Sequence, residues 1–258
     1  MVRGRCPKLA KARMAELVDA LVSGTSDVTV VEVRVFFRAP NTKETKGESM
    51  FAKKITVHSG DLPSDLSFGD SVAIDTETTG LKFNRDRLCV VQLSAGDGTA
   101  HLVHFNKGNF DAPNLKALLE DRKVLKIFHY GRFDIAALKH FLGADVAPVY
   151  CTKIASKLAR TNSVEHSLKT LCAELLNVEI EKEQQCSDWG APTLTEEQIK
   201  YAANDVFYLH QIKEILDERL IREGRKHFAD KCMEFLPTRA ALDEAGFDCD
   251  IFSRLSEA

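Results

Sequence analysis

Short apolar runs separated by polar turns dominate the middle of the chain and predict a β-rich beginning to the domain. Residues 72–74, 88–93 and 101–105 are typical of strands, and residues 124–128 predict a fourth. Gly96-Asp97-Gly98 lies between the second and third runs and predicts a hairpin. We therefore expect an antiparallel three-stranded start, preceded by a polar lead-in that ends at Gly69-Asp70.

Apolar residues spaced three and four apart then predict helices. These cover residues 113–120, 133–141, 153–160, 167–176 and 195–223, with a helical tail at 225–258 that breaks at Pro237 and Gly246. Residues 163–165 are candidates for N-capping helix 167–176, whereas Thr195 and Gln198 predict a capping box. The pattern indicates one α/β domain at 50–258: a mixed sheet flanked by helices, with a short helical C-terminal extension.

The first 49 residues differ from the remainder of the chain. Residues 28–37 form a β-rich run after a short predicted helix, but residues 14–40 also back-translate without a gap into a leucine-type tRNA gene. Glu32-Val33-Arg34 corresponds to GAA-GTT-CGA of the T arm, and Ala39-Pro40 to a terminal GCA-CCA. We expect residues 1–49 to be a spurious extension, with translation starting at or near Met50. A genuine strand-containing extension is the alternative, and an intact mass with an N-terminus near Met1 would establish it.

Composition narrows the class of protein. Hydrophobic residues make up 44% of the 258 positions, which supplies a sizeable core. The seven cysteines contain no C-x-x-C pair, and the chain shows neither a membrane-span run nor a signal-peptide h-region. These features predict a cytoplasmic protein with reduced thiols and no membrane partner.

Charge is distributed unevenly along the chain. Residues 1–49 hold nine Lys/Arg and six Asp/Glu, whereas residues 50–258 hold 26 and 32. Proteins that bind long nucleic acids usually neutralise many phosphates with a basic stripe. The acidic balance of the domain instead favours a short substrate held by a few positioned contacts.

Four carboxylates and a tyrosine carry the candidate chemistry. Asp75 and Glu77 are two apart on a predicted strand and therefore share a face. Tyr201 and Asp205 are four apart on a predicted helix and also share a face, while Asp134 begins an apolar helix. Each residue alone has an ordinary structural explanation, such as a charge at a helix start. Together, four carboxylates on buried elements require a cation, and a pair of hard divalent metals matches them.

The three segments resemble the motifs of the DEDD exonuclease superfamily in its tyrosine subtype, over about residues 75–205. The histidine subtype has a histidine five positions before the last aspartate, where this chain has Lys200. The resemblance implies a ribonuclease H-like fold and 3′→5′ hydrolysis of phosphodiesters. It also implies two Mg²⁺ or Mn²⁺ ions held by the four carboxylates, beside a tyrosine that orients the attacking water. An ordinary tyrosine, with a pKa near ~10, is a poor base at neutral pH, which favours orientation.

Within the superfamily, Ser187-Asp-Trp189-Gly and Leu194-Thr-Glu-Glu-Gln198 resemble the ribonuclease D group. Only 53 residues follow Asp205, too few for the paired RNA-gripping C-terminal domains of that group, and the compact form resembles nanoRNase C. That family implies hydrolysis of diribonucleotides and very short oligoribonucleotides to nucleoside 5′-monophosphates by a homo-octameric ring. The alternatives are trimming of RNA or tRNA 3′ ends, activity on DNA, and a noncatalytic module on the same fold, which the complete motif set disfavours.

Further residues are candidates for contacting this short RNA. Leu81 is expected either to wedge between the two bases or to pack at the end of a loop. His129 is expected either to contact the scissile phosphate or sugar, or to be a core histidine. Trp189 either lines the substrate entrance by stacking or packs internally. Thr76 completes the predicted substrate-binding set. The cationic residues that could bind the 5′ phosphate are Arg132, Lys153 and Lys157, and the sequence does not favour one over the others.

Overall fold

The computed structural model describes residues 28–31, 53–106, 108–180, 187–247 and 251–252. Seven strands in this part of the chain form one sheet in the order β1-β2-β5-β4-β3-β6-β7. The strands are β1 (Val28–Val31), β2 (Lys54–Ser59), β3 (Ser71–Thr78), β4 (Leu88–Ser94), β5 (Thr99–His104), β6 (Leu125–Phe128) and β7 (Val149–Cys151). The helices are α1 (Pro113–Glu120), α2 (Arg132–Leu142), α3 (Thr152–Ala159), α4 (Leu168–Leu176), α5 (Glu196–Phe207), α6 (Leu209–Arg222) and α7 (Lys226–Glu244).

The sheet is mixed, and its centre is fully buried. Strands β3, β4 and β5 are antiparallel neighbours, whereas β6 pairs parallel to β3 and β7 parallel to β6. All seven residues of β4 are buried. The antiparallel start and the mixed sheet with flanking helices are therefore confirmed.

Strand β2 corrects the predicted polar lead-in. Ile55 is fully buried in the short stretch Lys54–Ser59, which pairs in parallel with β5 across its whole length. The alternation over six residues was too short to stand out from its polar flanks. Pairing with β5, whose residues lie 45 positions further along the chain, stabilises β2, and local periodicity does not reveal such tertiary support.

The long helix predicted at 195–223 is also wrong, because the structure divides it into α5 and α6 at Tyr208. Tyr208 has φ −106° and ψ −5° and separates the two helices. Lys53 Nζ donates to the Tyr208 hydroxyl at 2.6 Å and lies over the Phe207 and Tyr208 rings. The apolar pattern continues through the junction, so no change of periodicity marks the division between the two helices.

Helix ends were predicted with mixed success. The Thr195–Gln198 capping box is confirmed, and Gly143 in the left-handed conformation ends α2. The predicted N-cap of α4 at residues 163–165 is wrong, because Ser167 caps this helix. The Ser167 side chain accepts a hydrogen bond from the backbone N–H of Thr170. The predicted break at Pro237 is wrong as well, because α7 continues through it with buried residues on both sides, including Met233 and Ala240. Packing of that face outweighs the proline penalty.

The N-terminal region contributes one described element. Strand β1 pairs antiparallel with β2 at the edge of the sheet. The predicted helix before it, residues 32–37 of the β-rich run, and Met50 lie outside the described residues, so the start near Met50 stays a prediction. Among the described helices, none combines the length and hydrophobicity that crossing a bilayer requires.

Candidate active site

Three elements bring the candidate residues to one cavity. Strand β3 carries Asp75 and Glu77 toward its end, where a bulge shifts the register between Glu77 and Thr78. The first turn of α2 carries Asp134, and α5 carries Tyr201 and Asp205 on one face. The cavity has a volume of about 1550 Å³. It is lined by all nine residues predicted to form the site: Asp75, Thr76, Glu77, Leu81, His129, Asp134, Trp189, Tyr201 and Asp205.

The carboxylates form a tight cluster. Oxygens of Asp75, Glu77 and Asp205 lie within 4.8 Å of one another. Burial, and then the neighbouring Asp134, Asp205 and Glu77, raise the pKa of Asp75 well above its ordinary value. Burial followed by the charges of Asp205 and Asp134 raises the pKa of Glu77 to about 9. Ionised together, these groups repel one another, and a hard divalent cation with oxygen ligands is the partner that such a donor set fits.

Thr76 fixes the fourth carboxylate. Its backbone N–H and its hydroxyl both donate to Asp134 Oδ1, at 3.1 and 2.6 Å. Burial raises the pKa of Asp134 to about 6, and the hydrogen bonds from Thr76 oppose that rise. The structure thus places the Thr76 hydroxyl on Asp134, so a contact between Thr76 and substrate stays a prediction.

Tyr201 is placed to donate rather than to accept a proton. It lies half-buried, with its ring centroid 6.0 Å from that of Trp189. Burial, the charges of Asp205 and Glu77, and a hydrogen bond to the Asp205 carboxylate raise the pKa of the Tyr201 phenol far above its ordinary value. A neutral phenol can orient a water or a phosphate oxygen, but it cannot act as the base at neutral pH.

The predicted substrate-binding residues have distinct environments in the cavity. Leu81 follows β3 and is 77% exposed, whereas Trp189 is 2% exposed and packs against the Tyr201 side of the wall. His129 Nδ1 makes a hydrogen bond with Thr152 Oγ1 at 2.8 Å. The structure thus brings all three to the cavity, and their binding of substrate stays a prediction.

Two of the three 5′-phosphate candidates also line the cavity. Lys153 Nζ lies 3.9 Å from the centroid of the Tyr130 ring, and Arg132 forms an ion pair with Asp243. Lys157 is not among the cavity's lining residues.

Sequence reasoning missed two features of the site. The end of α7 contributes Asp243 and Glu244 to the cavity wall, where Glu244 pairs with His140. The extension looked like an unassigned helix, so nothing local placed it there. The second feature is Gln92 on β4, whose Nε2 donates to Asp75 Oδ2 at 2.9 Å. An amide inside an otherwise apolar strand was the signal that could have revealed it.

The raised pKa of Glu77 predicts how metal-free protein responds to pH. The unfolded chain releases the Glu77 proton near 4.5, while the folded chain holds it until about 9. Between these values the unfolded state binds fewer protons, so the free energy of unfolding falls as the pH rises from about 4.5 to about 9. Urea unfolding in EDTA across this pH range measures the effect, with Glu77→Gln as the control. A slope as steep in Glu77→Gln as in the wild type would contradict the assignment.

With this geometry established, comparison with known proteins identifies the family. A family model described as 3′-5′ exonuclease matches residues 57–221, a range that includes all four carboxylates and Tyr201. The chain belongs to this 3′-5′ exonuclease family. Its ribonuclease H-like fold and its ribonuclease D-type motifs are thereby confirmed.

Ribonuclease D and NrnC are among the proteins that are similar to this exonuclease. Ribonuclease D of Gluconacetobacter diazotrophicus is 36% identical over 154 residues, which are 60% of this chain and 39% of that protein. The chain thus spans about two fifths of that curated relative's length. Brucella melitensis NrnC bound to pGG is 53% identical, with a TM-score of 0.75 over 78% of this chain and 98% of that one. The same nuclease with bound Mg²⁺ is 52% identical, with a TM-score of 0.74, and is covered to 99%.

Proposed function

We propose that this exonuclease hydrolyses diribonucleotides and very short oligoribonucleotides from the 3′ end to nucleoside 5′-monophosphates. The observation that carries the proposal is the cluster of Asp75, Glu77 and Asp205, whose oxygens lie within 4.8 Å of one another beside Tyr201 in a large cavity. The pGG complex of a nuclease 53% identical to this chain supports the short substrate.

The donor set fits two divalent ions, Mg²⁺ or Mn²⁺, held by Asp75, Glu77, Asp134 and Asp205. When bound, such ions supply a lowered water pKa and stabilise negative charge on the leaving 3′ oxygen. The chain's own contribution is positional. Thr76 fixes Asp134. Tyr201 donates its phenolic hydrogen bond to the Asp205 carboxylate, which leaves the phenol oxygen beside the cluster to accept a hydrogen bond from the attacking water and so orient it.

Charge and shape of the cavity support a short substrate. The α7 residues Asp243 and Glu244 form part of its wall, paired to Arg132 and His140. The net charge of −3 offers no general attraction for a longer strand. A cavity of about 1550 Å³ has the size to hold two nucleotides. A homo-octameric ring and a cytoplasmic location complete the proposal, on the strength of the resemblance to nanoRNase C.

Product analysis tests the proposed reaction. We expect a 5′-phosphorylated diribonucleotide incubated with Mg²⁺ to yield only nucleoside 5′-monophosphates, and EDTA to abolish their formation. Chromatography against nucleoside 3′- and 5′-monophosphate standards distinguishes the products. An intact dinucleotide, or products carrying a 3′ phosphate, would contradict the proposal. Cleavage confined to long RNA would instead favour trimming of RNA 3′ ends.

A further inference from the structure

Gln92 lies directly beside Asp75 in the sheet. The two residues are opposite each other in the antiparallel pair of β3 and β4, and the 2.9 Å bond from Gln92 Nε2 ends on Asp75 Oδ2. Gln92 is 0% exposed, and four buried apolar residues precede it on β4. An amide in such surroundings costs free energy unless its polar atoms are hydrogen-bonded.

Hydrogen bonding offsets the free-energy cost of burying Gln92 only in part. Gln92 Oε1 is buried and makes no hydrogen bond within the described part of the chain. A buried acceptor left without a donor costs free energy, which an apolar side chain of similar size would avoid. Fold stability therefore does not explain a glutamine at this position, and its contact with Asp75 does.

A matching arrangement at Asp134 shows what the contact does. Thr76 holds Oδ1 of Asp134, and Gln92 holds Oδ2 of Asp75, so one oxygen of each carboxylate is fixed by the protein. Hydrogen bonds from outside the ligand set orient ligating carboxylates and typically change metal affinity or activity 10–100-fold when removed. An N–H donor also pairs with the ionised carboxylate, which is the form that binds a cation.

We propose that Gln92 is a positioning residue that orients Asp75 as a ligand for a divalent cation. The inference rests on the metal-dependent function proposed above. Gln92 acts through Asp75, so it sets the affinity for the ion and leaves the chemistry of cleavage to the cluster.

Gln92→Met tests this role, because methionine retains the unbranched shape and lacks the amide donor. We expect at least roughly tenfold more Mg²⁺ to be needed for the half-maximal rise in melting temperature, and for half-maximal rate. The kcat recovers toward the wild-type value when Mg²⁺ saturates. Gln92→Leu serves as a second donor-free variant, and Leu93→Val as a control for a packing change on the same strand.

The outcomes distinguish failure of the proposed role of Gln92 from failure of the proposed function. A native fold with the wild-type Mg²⁺ midpoint in either Gln92 variant overturns the inference, and so does failure of both variants to fold, which assigns Gln92 to packing. If the wild type shows neither a Mg²⁺-dependent thermal shift nor hydrolysis, the proposed function itself fails. If the wild type responds normally and the Gln92 variants respond identically, only the role of Gln92 fails.

Discussion

Asp75→Asn is expected to lower kcat/KM on a diribonucleotide by roughly 10³-fold, about 4 kcal/mol of transition-state stabilisation. Asp75 is a central member of the cluster: its oxygens lie with those of Glu77 and Asp205, and its charge interacts with Asp134. Asparagine has nearly the same shape but no charge, so the site loses an anionic ligand while the strand keeps its packing. Initial rates at saturating Mg²⁺ measure the loss.

The thermal stability of Asp75→Asn distinguishes the loss of a metal ligand from the loss of the fold. Removing one charge from a cluster of like charges relieves repulsion, so Asp75→Asn protein in EDTA at pH 8 should unfold at the wild-type temperature or above it. Asp65→Asn, the same chemical change at an exposed position, is the matched control and should leave the rate unchanged. Retained activity in Asp75→Asn, or a lower melting temperature that accounts for the lost rate, would refute the assignment of Asp75.

Local pattern predicted those parts of the fold and site that depend on short-range spacing. The two-residue spacing of Asp75 and Glu77 on β3 and the four-residue spacing of Tyr201 and Asp205 on α5 placed each pair on one face. Turn and cap chemistry likewise located the β4–β5 hairpin and the start of α5, because the residues that form these features are neighbours in sequence.

The features that depend on distant contacts were missed. Strand β2 is stabilised by pairing with β5, and Lys53 packs on Tyr208 at the division between α5 and α6, 155 residues away. Gln92 reaches Asp75 only because β3 and β4 are paired in one register. None of these contacts leaves a periodic signal, since each becomes visible only when the sheet is assembled.

Substrate length should have the second-largest effect. We expect kcat/KM on a two-nucleotide RNA to exceed that on a twenty-nucleotide RNA by roughly 100-fold, within the range that shape and polar contacts discriminate. The end of α7 is the proposed reason, because the ion pairs of Asp243 with Arg132 and of Glu244 with His140 hold it against α2 as a wall of the cavity, and this wall limits the length of strand that fits. The double variant Asp243→Asn with Glu244→Gln should narrow the ratio by raising the rate on longer RNA, whereas Asp65→Asn should not.

Initial rates on 5′-phosphorylated RNAs of two, three, seven and twenty nucleotides, measured side by side with Mg²⁺, test the central claim most directly. The account predicts a steep fall in kcat/KM after the dinucleotide, with nucleoside 5′-monophosphates as the products. Rates that stay equal or rise with length would contradict it and would identify an enzyme that trims the 3′ ends of longer RNA.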